Sequence, residues 1–108
     1  MPERQGNRMR LLFAGGGTAG HINPALAIAN YFCQIEPGTQ VRFVGTKEGL
    51  ETGLVPRAGY PLDYIKIHGF ERSLSLQGLK TAAEIPGAIH RAYRIIKEFR
   101  PDAVVGTG

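Results

Sequence analysis

The fold is decided by one stretch near the start of the chain, Leu11-Leu12-Phe13-Ala14-Gly15-Gly16-Gly17-Thr18-Ala19-Gly20-His21, which Asn23 and Pro24 soon follow. An apolar run that ends in glycines predicts a buried strand. Asn23 and Pro24 predict the beginning of a helix, because asparagine caps helices and proline fits the first helical position. A strand, a glycine turn and a helix in this order direct backbone N–H groups into the space beyond the strand, at the positive end of the helix dipole. The stretch therefore predicts a site for a phosphate or diphosphate.

The glycines fit a dinucleotide-binding pattern only in part. Gly15, Gly17 and Gly20 satisfy the spacing G-x-G-x-x-G between a strand and a helix. A dinucleotide site also requires a carboxylate at the end of the second strand, where it holds the ribose. The second predicted strand leads into residues 45–47, which include no carboxylate, and Glu36 lies before that strand. A nucleotide-dependent oxidoreductase is therefore disfavoured, but it stays open as an alternative.

Strands and helices alternate along the rest of the chain. Apolar and turn patterns predict strands over 10–14, 41–44, 62–67 and 103–105, and helices over 24–35, 48–57 and 76–99. We expect the first helix to be largely buried, since few of its residues are polar, and the last helix to be interrupted at Pro86-Gly87. This alternation predicts an α/β fold with a parallel sheet, whose ligands bind in the loops at the carboxyl ends of the strands.

The composition is that of a small globular protein with a basic balance. The 108 residues carry a formal net charge of +4, and 43% of them are hydrophobic. This charge suits an anionic ligand or an anionic membrane and does not choose between them. No apolar run approaches the length of a membrane span. Residues 1–9 are predicted to form a flexible polar tail, and residues 10–108 one domain.

Five segments of the sequence form a further pattern when they are considered together. These are residues 16–21, 24–27, 44–51, 69–72 and 99–108. Together they resemble the MurG-type glycosyltransferases, which belong to the GT-B class. The first segment is similar to the first glycine loop of that family, with Ala19 where the common form has glycine. One small residue replaces another there, so we expect the loop to remain able to bind its ligand. The resemblance extends from Arg10 to the last residue.

The resemblance implies a Rossmann-like parallel sheet with flanking helices, as an incomplete N-terminal acceptor-binding domain of a GT-B enzyme. The family transfers N-acetylglucosamine from UDP-N-acetylglucosamine to undecaprenyl-diphospho-muramoylpentapeptide, which converts lipid I to lipid II in peptidoglycan synthesis. It implies these two substrates, no cofactor, no nucleic-acid partner and a peripheral position at the cytoplasmic face of the bacterial cell membrane. The C-terminal domain that holds the UDP-sugar is expected to be absent, so we expect this chain alone to be inactive as a hexosyltransferase.

The predicted substrate-binding residues come from two glycine-containing segments. They are Gly16, Gly17, Thr18, Ala19, Gly20 and His21 in the first loop, and Gly106, Thr107 and Gly108 after the last strand. His21 is the candidate catalytic residue, either as the base that takes the proton of the acceptor hydroxyl or as a contact to the acceptor. The glycines can instead serve only a tight turn, and the Thr18 hydroxyl can satisfy N–H groups of its own loop. No metal site is predicted.

Charged residues follow the second predicted strand. Lys47, Glu48 and Glu51 lie where a ligand could be contacted. Acids at the beginning of a helix also explain the two glutamates, since they complement the helix dipole. Both interpretations stay open.

A second group of residues is a candidate membrane contact. Its members are Arg72, Leu74, Leu76, Leu79 and Lys80. Apolar residues beside basic ones suit attachment to anionic lipid, and the resemblance adds an acceptor that resides in a membrane. The alternative is that the leucines pack inward and the basic residues form a solvated face. A further function class also stays open, a non-catalytic membrane-recruiting subunit of a split glycosyltransferase.

Overall fold

The computed structural model describes residues 8–66 and 76–108, with side chains from residue 83 onward in the second range. In this part of the chain, strands and helices alternate in the predicted order. They are β1 Arg10–Ala14, α1 Ala19–Ile35, β2 Gln40–Gly45, α2 Glu51–Arg57, β3 Leu62–Tyr64, α3 Leu76–Phe99 and β4 Ala103–Gly106. Every predicted strand and helix is therefore present, although several begin or end at other residues.

The strands of the described part form one parallel sheet in the order β3-β2-β1-β4. In β1, Leu12 pairs with Arg42 of β2 on one side and with Val104 of β4 on the other. Phe43 of β2 pairs with Leu62 of β3. All the strands thus end at the same edge of the sheet, and the loops that follow them are neighbours. This arrangement confirms the predicted α/β fold.

The core lies on both faces of the sheet. Phe13 and Phe43 stack with their ring centroids 5.1 Å apart, and they pack with buried residues of α1 and α2 on one face. On the other face, Leu12 packs with Ile95 and Phe99 of α3. Successive residues of β1 are therefore buried on opposite faces. This explains why the strand is a continuous apolar run, as in parallel sheets that helices cover on both sides.

The first helix begins earlier than predicted. Thr18 is its N-cap, with an extended backbone, and the N–H groups of His21 and Ile22 both donate to the Thr18 carbonyl at 3.1 Å. The first turn is thus complete before Pro24, which lies inside the helix. A proline removes one hydrogen bond at its own position and does not prevent a turn that precedes it. The predicted roles of Asn23 as N-cap and Pro24 as the first helical residue are wrong.

Only one face of α1 is buried. Ile22, Ala25 and Ala29 are buried, whereas Tyr31 is 59% and Ile35 is 52% exposed. The prediction that this helix is largely buried is therefore wrong. Apolar residues continue around the helix, but only the stripe at a spacing of three to four residues contacts the sheet.

The last helix, α3, runs from Leu76 to Phe99 through Pro86, so the predicted interruption is wrong. Pro86 and Gly87 are both exposed. Pro86 removes one backbone hydrogen bond from the helix at its own position. A proline at such a position weakens the helix without ending it.

Two boundaries near the sheet edge also differ from their predictions. The second helix begins at Glu51 rather than at residue 48. β3 ends at Tyr64, and Ile65 lies beyond it. The N–H of Ile65 donates to the carbonyl of Gly45 at 2.8 Å. Because β2 ends at Gly45, no partner strand continues, and the predicted extension of β3 to residue 67 is not supported.

The five residues of the predicted membrane contact lie outside the described backbone or the described side chains. They are Arg72, Leu74, Leu76, Leu79 and Lys80. Most of the predicted tail, residues 1–9, also lies outside the described ranges. Among the helices that are described, none has both the length and the apolar character needed to cross a membrane.

Candidate functional site

A cavity of about 490 Å³ lies at the carboxyl edge of the sheet, between the ends of β1 and β2. One wall is the loop Gly15–Gly17, and the opposite wall is formed by residues between Val44 and Glu51. Gly108, at the end of the segment after β4, also lines the cavity. In parallel α/β sheets, ligands bind at this edge.

The loop after β1 leads into the first turn of α1. Gly17 has a φ of +88°, in the left-handed region that glycine adopts without steric cost. Thr18 is exposed, and its side chain makes no capping hydrogen bond. The N–H groups of Ala19 and Gly20 open the helix, where backbone donors have no partner within the helix. The start of α1 therefore offers the N–H groups of Ala19 and Gly20 as donors, beside a Thr18 hydroxyl that makes no capping hydrogen bond.

His21 lies in this first turn and is exposed. Its Nδ1 is 3.1 Å from the carbonyl oxygen of Gly16. A carbonyl oxygen only accepts hydrogen bonds, so Nδ1 carries the hydrogen and Nε2 of the neutral ring remains an acceptor. This hydrogen bond fits the tautomer of His21 in which Nε2 is available to take a proton.

The end of β4 packs against the same turn. The Thr107 hydroxyl donates to the carbonyl of His21 at 2.7 Å, and the Thr107 N–H donates to the carbonyl of Ala14 at 3.0 Å. Gly108 lies against the imidazole, since a Cβ built on it would be 2.6 Å from Cδ2 of His21. A Cβ built on Gly15 would overlap the Thr107 hydroxyl. The backbone approaches closely at both glycines, and no side chain fits there.

The predicted substrate-binding residues are thus brought together. The first-loop segment 16–21 and the segment 106–108 are far apart in sequence, yet Gly106 pairs with Ala14 in the sheet. The structure gives their positions, and ligand binding by these residues stays a prediction.

Glu51 is buried beneath the glycine loop, with 2% of its surface exposed. Its Oε1 accepts the N–H of Gly17 at 3.1 Å, and its Oε2 accepts the N–H of Thr46 at 3.2 Å. Among the residues that the structure describes, no cationic side chain forms an ion pair with it. Within the described residues, backbone donors hold the carboxylate, which connects the loop after β1 to the loop after β2.

Three glycines make room for this carboxylate. A Cβ built on Gly16 or Gly49 would overlap an oxygen of Glu51, and one built on Gly45 would lie 2.7 Å from Oε2. The expected reason for glycine at position 16 was a tight turn or the approach of a ligand. The structure gives another reason, which is space for an internal anion. The N–H of Gly17, which the sequence pattern offers to a phosphate, is occupied by Glu51.

This role of Glu51 was missed in the sequence. The residue does begin α2, in agreement with the helix-start interpretation, but its side chain turns back under the first loop. The available signal is the short spacing of Gly45, Gly49 and Glu51. Two glycines just before an acid leave space for a carboxylate against backbone N–H groups.

A second cavity, of about 930 Å³, adjoins the first along the same edge. It lies between the ends of β2 and β3 and the middle of α3, and both cavities are lined by Thr46 and Glu48. Its lining includes three basic and three acidic side chains, which are Lys47, Lys66, Arg91, Glu48, Asp63 and Glu84. Among the described side chains these charges balance, so those residues give the second cavity no charge preference for an anionic ligand.

Within residues 8–66 and 76–108, no group of three or more His, Cys, Asp or Glu side chains is arranged to hold a metal ion. His21 and Glu51 both bind backbone groups of the first loop rather than each other.

Residues 11–108 match the glycosyltransferase family 28 N-terminal domain. The match begins in β1 and continues to Gly108. It therefore includes every residue that lines the two cavities.

Curated relatives resemble the chain over most of its length. A protein of Limosilactobacillus fermentum is 53% identical and one of Ruminiclostridium cellulolyticum is 54% identical, each over 100 residues. Both are named UDP-N-acetylglucosamine--N-acetylmuramyl-(pentapeptide) pyrophosphoryl-undecaprenol N-acetylglucosamine transferase. The aligned region covers 93% of this chain but only 27% and 28% of those proteins. The chain thus spans little more than a quarter of the length of these relatives.

A solved structure is also similar to this chain over most of its length. The crystal structure of Acinetobacter baumannii MurG superposes with a TM-score of 0.75 at 32% sequence identity. The superposition covers 93% of this chain and 28% of that one.

Proposed function

Since the chain belongs to glycosyltransferase family 28 through its N-terminal domain, we propose that it is the acceptor-binding part of an N-acetylglucosaminyltransferase. The full-length enzyme transfers N-acetylglucosamine from UDP-N-acetylglucosamine to undecaprenyl-diphospho-muramoylpentapeptide, which converts lipid I to lipid II. Relatives that share about half of the aligned residues are named for this transfer. The structural observation that carries the proposal is the 3.1 Å hydrogen bond between Nδ1 of His21 and the Gly16 carbonyl, which fits the tautomer with Nε2 as a proton acceptor.

The reaction requires a group that removes a proton. A hydroxyl oxygen of the acceptor attacks the anomeric carbon of N-acetylglucosamine, and the bond from that carbon to the UDP oxygen breaks. UDP leaves with the bonding electrons, and Nε2 of His21 takes the hydroxyl proton. The hydrogen on Nδ1 stays bonded to that nitrogen and donates to the Gly16 carbonyl, which holds the ring in one orientation. A positioned base of this kind contributes roughly 100- to 10,000-fold to the rate.

The diphosphate of the acceptor binds at the beginning of α1. The hydroxyl of Thr18 and the N–H groups of Ala19 and Gly20 supply hydrogen bonds there, and the helix dipole favours an anion. Because Glu51 already occupies the N–H of Gly17, the diphosphate lies at the helix start rather than on the glycines before it. The net charge of +4 assists the binding of an anion.

The donor binds outside this chain. We assign UDP-N-acetylglucosamine to a C-terminal domain, because the chain spans little more than a quarter of its relatives. The isolated chain is then inactive, and the full-length enzyme attaches peripherally to the cytoplasmic face of the membrane, where its lipid acceptor resides. The basic balance supports attachment to anionic lipid. The residues of the predicted membrane contact remain candidates for that attachment.

The proposal is tested by incubating the full-length protein with radiolabelled UDP-N-acetylglucosamine and a lipid I analogue. We expect label in the lipid product only when both substrates are present, and no label with residues 1–108 alone. Absence of transfer by the full-length protein, together with NAD binding, would favour an oxidoreductase. Transfer that appears only after a separate catalytic chain is added would favour a non-catalytic subunit.

A further inference from the structure

We infer that Glu51 is a positioning residue for His21 and that it acts through the single peptide unit that joins Gly16 to Gly17. The inference rests on the proposed function, in which Nε2 of His21 receives the proton. It adds to that function a buried carboxylate that acts on the base through the backbone.

The peptide unit between Gly16 and Gly17 is hydrogen-bonded at both of its polar groups. Its N–H donates to Oε1 of Glu51 at 3.1 Å. Its carbonyl oxygen accepts the Nδ1–H of His21, also at 3.1 Å. A peptide unit is planar and resists twisting, so the direction of one hydrogen bond sets the direction of the other. The orientation of the imidazole therefore depends on where Glu51 holds this unit.

A carboxylate is needed at position 51. One of its oxygens accepts from Gly17 and the other accepts from Thr46, so both must be acceptors. Glutamine has only one acceptor oxygen, and its NH2 group would face an N–H donor. Aspartate is one methylene shorter and cannot reach both loops from α2.

The Glu51 side chain is confined to this position. It is 2% exposed, and Gly16, Gly45 and Gly49 surround it so closely that a Cβ on any of them would crowd the carboxylate. A side chain locked by packing can hold a mobile element in place, whereas an exposed one follows that element. We therefore infer that Glu51 holds the glycine loop in place, rather than the loop holding Glu51.

The negative charge also strengthens the hydrogen bond to His21. A carboxylate that accepts from a peptide N–H polarises the carbonyl of the same unit, and consecutive hydrogen bonds reinforce one another. The Nδ1–H is then held more firmly, which keeps the hydrogen away from Nε2. An acid that fixes the tautomer and orientation of a histidine is a known catalytic arrangement. Here a peptide unit stands between the acid and the ring.

The test compares Glu51→Gln and Glu51→Asp with the control Glu98→Gln in the full-length protein. Glu98 is exposed and pairs with Arg94 on α3, so the control removes a carboxylate without touching the loop. One readout is kcat together with the KM for UDP-N-acetylglucosamine. The other is the ¹⁵N spectrum of the imidazole, which reports which nitrogen of His21 carries the hydrogen.

We expect kcat of Glu51→Gln to fall roughly 100-fold, since a small misplacement of a catalytic group costs about that much, while the donor KM stays unchanged. In the unaltered protein the hydrogen resides on Nδ1, and in Glu51→Gln the spectrum becomes an average of the two tautomers. A purely structural role would reduce the amount of folded enzyme and leave the tautomer of the folded fraction unchanged.

Unchanged kcat and an unchanged His21 tautomer in folded Glu51→Gln would overturn the inference. If the variants do not fold, amide hydrogen exchange of the unaltered protein tests the inference instead. The Gly17 amide must then be protected, and exchange at the rate of an exposed loop would contradict its bond to Glu51. Absence of sugar transfer by the unaltered protein would refute the proposed function instead, while the tautomer and the Gly17 exchange still test the connection between Glu51 and His21.

Discussion

The hydroxyl of Thr107 donates a hydrogen bond to the backbone carbonyl of His21 at 2.7 Å, across 86 positions of sequence. The bond joins the end of β4 to the first turn of α1, which carries the candidate base. The Thr107 N–H also donates to Ala14, the last residue of β1. Thr107 therefore holds the strand end and the helix start in one arrangement.

Replacement of Thr107 by valine is expected to destabilise the domain. Valine has the same shape as threonine but cannot donate to the His21 carbonyl, and a lost hydrogen bond costs about 1 kcal/mol of unfolding free energy. Urea unfolding of the full-length protein measures this change. Thr107→Ser keeps the hydroxyl and is expected to retain most of the stability. A Thr107→Val variant as stable as the unaltered protein, with a loss only in Thr107→Ser, would show that the methyl group, and not the hydrogen bond, is what matters.

Introducing a Cβ at Gly16 is expected to be destabilising. The methyl group of Gly16→Ala overlaps the Glu51 carboxylate, and overpacking of a confined site costs about 1–3 kcal/mol. Gly53→Ala is the matched control, because a Cβ there meets no atom within 4 Å. In α2 this control is expected to stabilise the protein by up to about 1 kcal/mol, since alanine loses less backbone entropy than glycine. Thermal unfolding of both variants checks the contrast, which an unaffected Gly16→Ala would contradict.

The stability of the domain is expected to fall at high pH because of Tyr60. Its hydroxyl hydrogen-bonds Asn30 and lies 3.9 Å from the sulfur of Cys33. Burial first, and then the hydrogen bond to Cys33 and electrostatic repulsion from it, raise the pKa of Tyr60 from 10.0 to about 12. The folded state thus favours the protonated phenol. This contribution to stability is fully present below pH 10 and is lost as the pH rises through about 12.

Tyr60→Phe provides the comparison for that pH dependence. Phenylalanine keeps the ring that packs against Phe43 at a centroid distance of 5.6 Å, and it removes the titrating group. We expect the urea midpoint of the variant to depend less on pH between 10 and 12 than that of the unaltered protein. The same decline in both proteins would exclude Tyr60 as its origin.

The parts of this fold that local sequence patterns determine were predicted correctly. The run Leu11–Ala14 is apolar because helices cover both of its faces, and the glycines after it mark the end of a strand. The alternation of strands and helices then allows few arrangements other than a parallel sheet. The meeting of His21 with Thr107 also follows from that sheet, since β1 and β4 are neighbours and end at the same edge.

The wrong predictions concern effects that local patterns do not contain. Pro24 looked like a helix start, but Thr18 accepts the hydrogen bonds that complete the turn before it. Tyr31 looked buried, although the sheet covers only one stripe of α1. Glu51 accepts a hydrogen bond from Gly17 across 34 residues, and neither the helix-start pattern nor the glycine spacing specifies this partner. A contact of this kind becomes visible only when the two loops are placed side by side.

The most direct test of the central claim is kcat for sugar transfer by His21→Ala in the full-length enzyme. His90→Ala is the control, because His90 is an exposed residue of α3 that lines neither cavity. If Nε2 of His21 takes the acceptor proton, kcat falls by roughly 100-fold or more in His21→Ala and stays unchanged in His90→Ala. A kcat of His21→Ala close to that of the unaltered enzyme would contradict the role of His21 as the base.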